Sequence, residues 1–325
     1  MDFTPLAKPI VATELVNQIY GAIAKDEGAT YRQLLRKWIA QAEDAYRGKE
    51  HPFKKRLGAS TIGERCERLI WYSWHWAVRE QMPPRLLLLL NRGHLEEARF
   101  SALLELIGVP LQTKDANGKQ YAINLLDANY GGSCDGLAVW PVGGYHIVAE
   151  LKTHNRSSFE DLAGDLKEWR AHCEGRGAFT GKGVRASKYK HYVQAHVYRS
   201  GFGCDGALYM AICKDTDDLY AEWLPMDPAT PDEALRKAER VIYGKEIPAK
   251  INASPGWYGC KFCKAKGICH LGQQAERNCR TCKHGRTMDH GYWLCGLHSS
   301  AAVPLLLDED QQLIGCPEHS YLPGL

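Results

Sequence analysis

The chain has 325 residues, 45% hydrophobic and 24% charged, with 41 Lys and Arg against 38 Asp and Glu for a formal net charge of +3. This excludes a disordered or collagen-like chain and allows one sizeable core with small additions, while a charge so close to balance decides nothing about a nucleic-acid partner. No apolar run is long enough to span a membrane and no signal peptide opens the chain, so the twelve cysteines are expected as reduced thiols in the cytoplasm of a bacterial or phage-infected cell, not as a disulfide framework.

Residues 11–47 read as two helices broken near Gly28, within an N-terminal helical cap over residues 1–50. Helices are expected at 61–78 and 92–108. Strand-like runs lie near 133–140, 145–152, 205–213 and 218–224, and Asp215-Thr-Asp-Asp218 marks a hairpin between the last two. Further helices are expected at 157–173, 187–200 and 231–243, the last opening at Pro231. This order predicts an α/β fold, a central mixed sheet flanked by helices, in a core of residues 51–272 followed by a small module over 273–325.

Two short segments carry the chemistry. Gly132-Ser133-Cys134-Asp135-Gly136 precedes Ala149-Glu150-Leu151-Lys152-Thr153, and on a strand Glu150 and Lys152, two residues apart, project from one face. Asp135 is expected to join them from an adjacent strand or turn. Carboxylate oxygens are hard ligands suited to Mg2+ or Mn2+, which polarises a phosphate and lowers the pKa of a bound water. A lysine beside them holds that water or offsets charge growing on the phosphate.

This arrangement resembles the PD-(D/E)xK nuclease superfamily, and the resemblance extends over roughly residues 57–270. The family's upstream glutamate is matched by Glu97 in Gly93-His94-Leu95-Glu96-Glu97, and its Gln-x-x-x-Tyr helix, found in RecB-like and phage lambda exonuclease branches, by Gln194 and Tyr198. Four residues apart, Gln194 and Tyr198 share a helix face, where they orient the lysine or a DNA phosphate. The resemblance implies a restriction-endonuclease-like core and a metal set of Glu97, Asp135, Glu150 and Leu151. Cys134 stands where the family often has proline, and the metal-binding histidine of many RecB-like members is replaced at the matching slot by Glu97.

Cys66 ahead of this core and Cys260-x2-Cys263-x5-Cys269 behind it resemble the iron-sulfur clasp of RecB-like exonucleases, which implies a 4Fe-4S cluster. Four thiolates serve Zn2+ equally well, so zinc stays open there. A second constellation, Cys279-x2-Cys282, Cys295 and Cys316, reads as a zinc-ribbon-like module, with His298 the alternative fourth ligand to Cys316 and His284 and His319 further back. Cys134, Cys173, Cys204 and Cys213 show no metal spacing and are expected as ordinary thiols.

Residues 175–192 hold five cations, Arg176, Lys182, Arg185, Lys188 and Lys190, and no acid. Interleaved with glycine and tyrosine, they read as a flexible loop that neutralises phosphates and stacks on unpaired bases. Lys54-Lys55-Arg56, with Arg65 and Arg68, extends the basic track. The expected activity is a metal-dependent DNA exonuclease of recombination, repair or replication, acting on DNA with a free end and working beside a recombination or replication protein. A structure-specific endonuclease, or a nucleic-acid-binding factor that keeps the nuclease fold as a scaffold, is the alternative. Polarity and strand preference are carried by no motif.

Overall fold

Residues 147–149 and 207–213 are continuous apolar runs, a pattern that calls for cover on both faces. They lie in the two central strands of a five-stranded sheet, His146–His154 and Gly206–Cys213, paired in parallel. Antiparallel neighbours complete it: Gly136–Val139 beside the first, Leu219–Leu224 beside the second, and Ile10–Val11 at the far edge. The sheet is therefore mixed. The structure is a computed structural model that describes residues 8–42, 51–79, 83–244 and 246–325, and the part of the predicted N-terminal cap beyond residue 42 lies outside them.

Helices cover the sheet. Tyr189–Phe202 packs on both central strands, Pro84–Leu106 on His146–His154, and Arg156–Ala163 on Gly206–Cys213. Asn155 caps the last of these, its side chain accepting the Ser158 N–H at 2.9 Å. The long helix starts earlier than expected because Pro84 opens it, where a missing N–H costs nothing. The predicted N-terminal pair forms Thr13–Lys25 and Ala29–Ile39, with the break at Gly28, whose φ of 77° is left-handed.

Three expectations are corrected, the first being the helix over 157–173, which is divided at Gly164 and Asp165 into Arg156–Ala163 and Leu166–Cys173. The helix expected over 61–78 is two pieces, Ala59–Ile62 and Glu67–Trp74, separated at Gly63 to Cys66. The strand expected over 133–140 is likewise broken, into Tyr130–Ser133 and Gly136–Val139. At this strand break the Cys134 N–H donates to the Tyr121 carbonyl at 3.0 Å, leaving the ladder and freeing Asp135 to turn toward the central strand.

By packing, the chain divides into two compact units that are discontinuous in sequence: Met1–Gly48, Met82–Ala122 and Ser133–Pro231 in one, and Lys49–Gln81, Ile123–Gly132 and Asp232–Leu325 in the other. The five-stranded sheet belongs to the first. The second carries a small sheet of Gly285–Thr287, Trp293–Cys295 and Leu306–Leu307. Its centre is Arg280, fully buried, with its guanidinium 4.7, 3.9 and 5.4 Å from the rings of Trp74, Trp76 and Trp293. That group donates to the Gln312 side chain at 2.8 Å and to the carbonyls of Trp74, Lys55 and Gly291 at 3.0–3.3 Å, so its charge is compensated by ring faces and oxygens rather than by an acid.

Candidate active site

The register of the sheet assembles the predicted residues. Gly136 lies opposite Ala149 in the antiparallel pair, which sets Asp135, one residue earlier, beside Glu150 and Leu151. The Leu151 N–H donates to Asp135 Oδ2 at 2.7 Å, fixing that carboxylate against the strand. Lys152 Nζ lies 2.5 Å from Glu150 Oε1 and 3.4 Å from Asp135 Oδ2, so one ammonium bridges both acids. Glu150 is sealed, its side chain 1% exposed, while Asp135 and Lys152 keep 18% and 24%.

Apart from the lysine contact, neither oxygen of Glu150 has a hydrogen-bond partner. Burial is the main reason its pKa is pushed up, to about 8, with Lys152 pulling it down and Asp135 pushing it further up. For Lys152 burial works the other way, yet Asp135 and Glu150 outweigh it and hold the ammonium above the ordinary lysine value. Two acids and a lysine at these distances, with Glu150 buried and met by Lys152 alone, fit a hard divalent cation: the carboxylates supply oxygen donors, and Glu150 has no partner beyond the lysine.

Of these three residues Asp135 lines a cavity of about 390 Å3, together with Glu97 and His94 among others. The helix Pro84–Leu106 presents Glu97 there, while its neighbour Glu96 turns inward and holds Arg99 at 3.0 Å. Of the two adjacent glutamates it is thus Glu97 that joins Asp135. His94 Nδ1 lies 3.5 Å from Glu97 Oε1. Gln194 and Tyr198 are both buried on the Tyr189–Phe202 helix. Burial raises the Tyr198 pKa, and Glu150 and Asp135 raise it further, which places the phenol within electrostatic reach of both carboxylates.

The basic segment differs from the expected flexible loop. Gly183–Ser187 is helical, and its glycines serve close packing: a Cβ on Gly181 would stand 2.3 Å from the Leu162 carbonyl, and one on Gly183, at φ 71°, 2.4 Å from the Pro9 ring. Its cations meet acids from outside the run. Lys182 and Lys188 reach Asp161 at 2.5 and 3.3 Å, Arg185 lies 4.0 Å from Asp227, and Arg176 pairs with Glu174.

Two groups escaped the sequence reading. Lys114 and Lys119 line the cavity from a tight hairpin, in which Asp115 Oδ1 accepts the N–H groups of Asn117 and Lys119 at 2.8 and 3.0 Å. Asp-Ala-Asn-Gly between two lysines was the available turn signal. Beside Glu150 in the parallel ladder stands Tyr209, whose hydroxyl lies 2.9 Å from His154 Nε2 and 3.0 Å from His191 Nδ1. Burial, with Lys152 adding to it, pushes His154 down to about 4 and His191 to about 3, so both rings are neutral near Lys152 at pH 7.

In the second unit, Cys66, Cys260, Cys263 and Cys269 all line one cavity of about 420 Å3. Cys66 stands at the N-cap of Glu67–Trp74, Cys260 in the turn Tyr258–Lys261 and Cys269 in Lys266–His270, and the Cys263 N–H donates to the Cys260 carbonyl at 3.1 Å. The distant Cys66 thus lines the same cavity as the other three.

No known protein family and no curated protein matches the chain. Among solved structures it is similar to SSO0001, at 18% identity and a TM-score of 0.34 over 75% of this chain and 97% of that one. It is also similar to LHK-Exo, an alkaline exonuclease from Laribacter hongkongensis, at 12% identity over 57% of this chain and 86% of that one, with TM-scores of 0.35 and, for its complex with dAMP, 0.36. At such identities the chemistry has to be argued from the residues. Among the described residues no helix is long and apolar enough to cross a membrane.

The raised carboxyl of Glu150 has a consequence for stability. Between pH 4.5, its ordinary value, and about 8 the folded protein holds a proton that the unfolded chain has released, so stability falls as pH rises through that window. Thermal melts in EDTA are expected to drop between pH 5 and pH 9, by at most about 1.4 kcal/mol per pH unit from this group. Glu150→Gln should flatten that drop and be the more stable form at pH 9; an unchanged pH profile in the variant contradicts the assignment.

Proposed function

We propose that the chain is a divalent-metal-dependent deoxyribonuclease that hydrolyses phosphodiester bonds, acting as an exonuclease on DNA with a free end in phage or bacterial recombination, repair or replication. The observation that carries this reading is the buried Glu150 carboxylate, bridged by Lys152 to Asp135 from the neighbouring strand. Asp135, Glu150, Glu97 and the Leu151 carbonyl are the groups proposed to hold Mg2+ or Mn2+. Bound there, such an ion supplies a Lewis acid for the phosphate and an acidified water.

The remaining work falls to the chain. Lys152, kept charged by two acids, orients the attacking water and offsets negative charge as the phosphate becomes pentacovalent. Gln194 and Tyr198, buried behind the carboxylates, restrict how Lys152 and the scissile phosphate sit. Lys114 and Lys119 at the cavity give a backbone phosphate two cations to meet. Arg176, Lys182, Arg185, Lys188 and Lys190 extend this contact in the proposal, exchanging their acids for phosphates. The four thiols that share a cavity in the second unit are assigned to a 4Fe-4S cluster, which would tie residue 66 to residues 260–269.

Asp135→Asn, Glu150→Gln and Lys152→Ala are each expected to lower cleavage of end-labelled linear DNA by about 100-fold or more with Mg2+ or Mn2+ while the circular dichroism spectrum is kept. Closed circular single-stranded DNA should resist the wild-type enzyme. Near-normal activity in any of the three variants contradicts the catalytic assignment, and cutting of circles makes the enzyme an endonuclease. The clasp is tested by metal analysis of protein purified without oxygen: iron with absorbance near 400 nm, lost in Cys263→Ala, is expected, and zinc without iron contradicts it.

A further inference from the structure

Residues 273–325 hold too little apolar material to fold by burial. Their buried apolar side chains are Ala275, Cys282, Trp293 and Leu307, far fewer than a segment of this length needs. Yet the backbone here is tightly specified. Cys279–Thr281 is a 3-10 turn whose N–H groups at Arg280 and Thr281 are capped by the Asn278 side chain at 2.9 and 3.2 Å. The chain then doubles back, the Cys282 N–H donating to the Cys279 carbonyl at 3.4 Å and the Gly285 N–H to the Cys282 carbonyl at 3.0 Å. A Cβ at residue 285 would lie 2.3 Å from the Cys279 carbonyl, so only glycine lets the strand close over the turn.

Two distant segments are drawn to this turn. Gly285 stands opposite Cys295 in the antiparallel pair of Gly285–Thr287 with Trp293–Cys295, which delivers a third thiol. The Arg277 guanidinium donates to the Cys316 carbonyl and, at 3.3 Å, to that of Pro317, which ties the fourth to the start of the turn.

We propose that Cys279, Cys282, Cys295 and Cys316 bind one structural Zn2+ as four thiolates. His319 Nε2 lies 3.2 Å from the Thr281 hydroxyl, and His298 Nε2 lies 3.7 Å from Glu318 Oε2. Ligand atoms of His298, Cys316 and Glu318 lie within 4.8 Å of one another, which makes His298 the rival to a thiolate at the fourth position. Four thiolates leave no position open for water or substrate, so the ion holds the fold and takes no part in hydrolysis. Its mechanical effect runs through Arg280, which lies between the first two ligands and is held at the rings of Trp74, Trp76 and Trp293.

Full-length protein expressed with zinc in the medium, analysed for metals and by X-ray absorption at the zinc edge, tests this independently of nuclease activity. The expected result is one zinc ion per chain that survives Cys263→Ala, in an all-sulfur shell at about 2.3 Å. Cys282→Ser should lose that ion and His298→Ala should keep it. Zinc-free protein, zinc lost in Cys263→Ala but kept in Cys282→Ser, or a nitrogen ligand that disappears in His298→Ala overturns the four-thiolate site. Should Cys282→Ser be insoluble, the absorption spectrum of Cys263→Ala decides alone.

Discussion

An ionisable carboxylate shut away from water is the constraint on which the first unit turns. Glu150 sits in the middle of a central strand, with apolar neighbours on either side along the chain and Tyr209 beside it in the ladder. Removing a charged carboxylate from water costs several kcal/mol unless a cation compensates it. Lys152 does so in part, and the proton favoured by burial does the rest. Beyond Lys152 the Glu150 carboxylate has no hydrogen-bond partner, and Asp135 lies within reach of the same ammonium. The proposed cation site rests on a group held in this state.

The second unit solves a different problem. Its short strands and turns cannot form a large core, and the chain compensates with polar anchors. Arg280 draws three indoles and three carbonyls around one guanidinium, and Asn278 donates to the Trp76 carbonyl at 2.9 Å. Arginine suits that role because its planar charge is weakly hydrated and stacks on aromatic faces, which lysine does not reproduce. Two sets of four cysteines surround this anchor in sequence, and the helix Glu67–Trp74 carries Cys66 at one end and the Trp74 carbonyl held by Arg280 at the other.

Much of the first unit was legible because its signals are local. Apolar runs marked both central strands, Asp215 to Asp218 marked the hairpin, and the two-residue spacing put Glu150 and Lys152 on one face. What escaped depends on tertiary contact. The break at Cys134 and Asp135 exists because a backbone N–H leaves the ladder for the Tyr121 carbonyl, which no propensity encodes. Acids at Asp161, Asp227 and Glu174 lie outside the basic run that they neutralise, so a window over 175–192 saw only cations. Arg280, read along the sequence, is a residue between two cysteines. Its burial depends on Trp74 and Trp76, about two hundred positions earlier, and the discontinuous make-up of the second unit was hidden for the same reason.

The central claim, that Glu150 is the pivot of a divalent-cation site, is tested most directly by calorimetric titration of Mn2+ into metal-free protein at pH 7 in buffers of different ionisation enthalpy. The account predicts saturable binding accompanied by release of close to one proton per site, because a carboxyl held near pKa 8 must ionise to take the ion, with both binding and proton release lost in Glu150→Gln. Binding that releases no proton, or that is equally tight in Glu150→Gln, would contradict it.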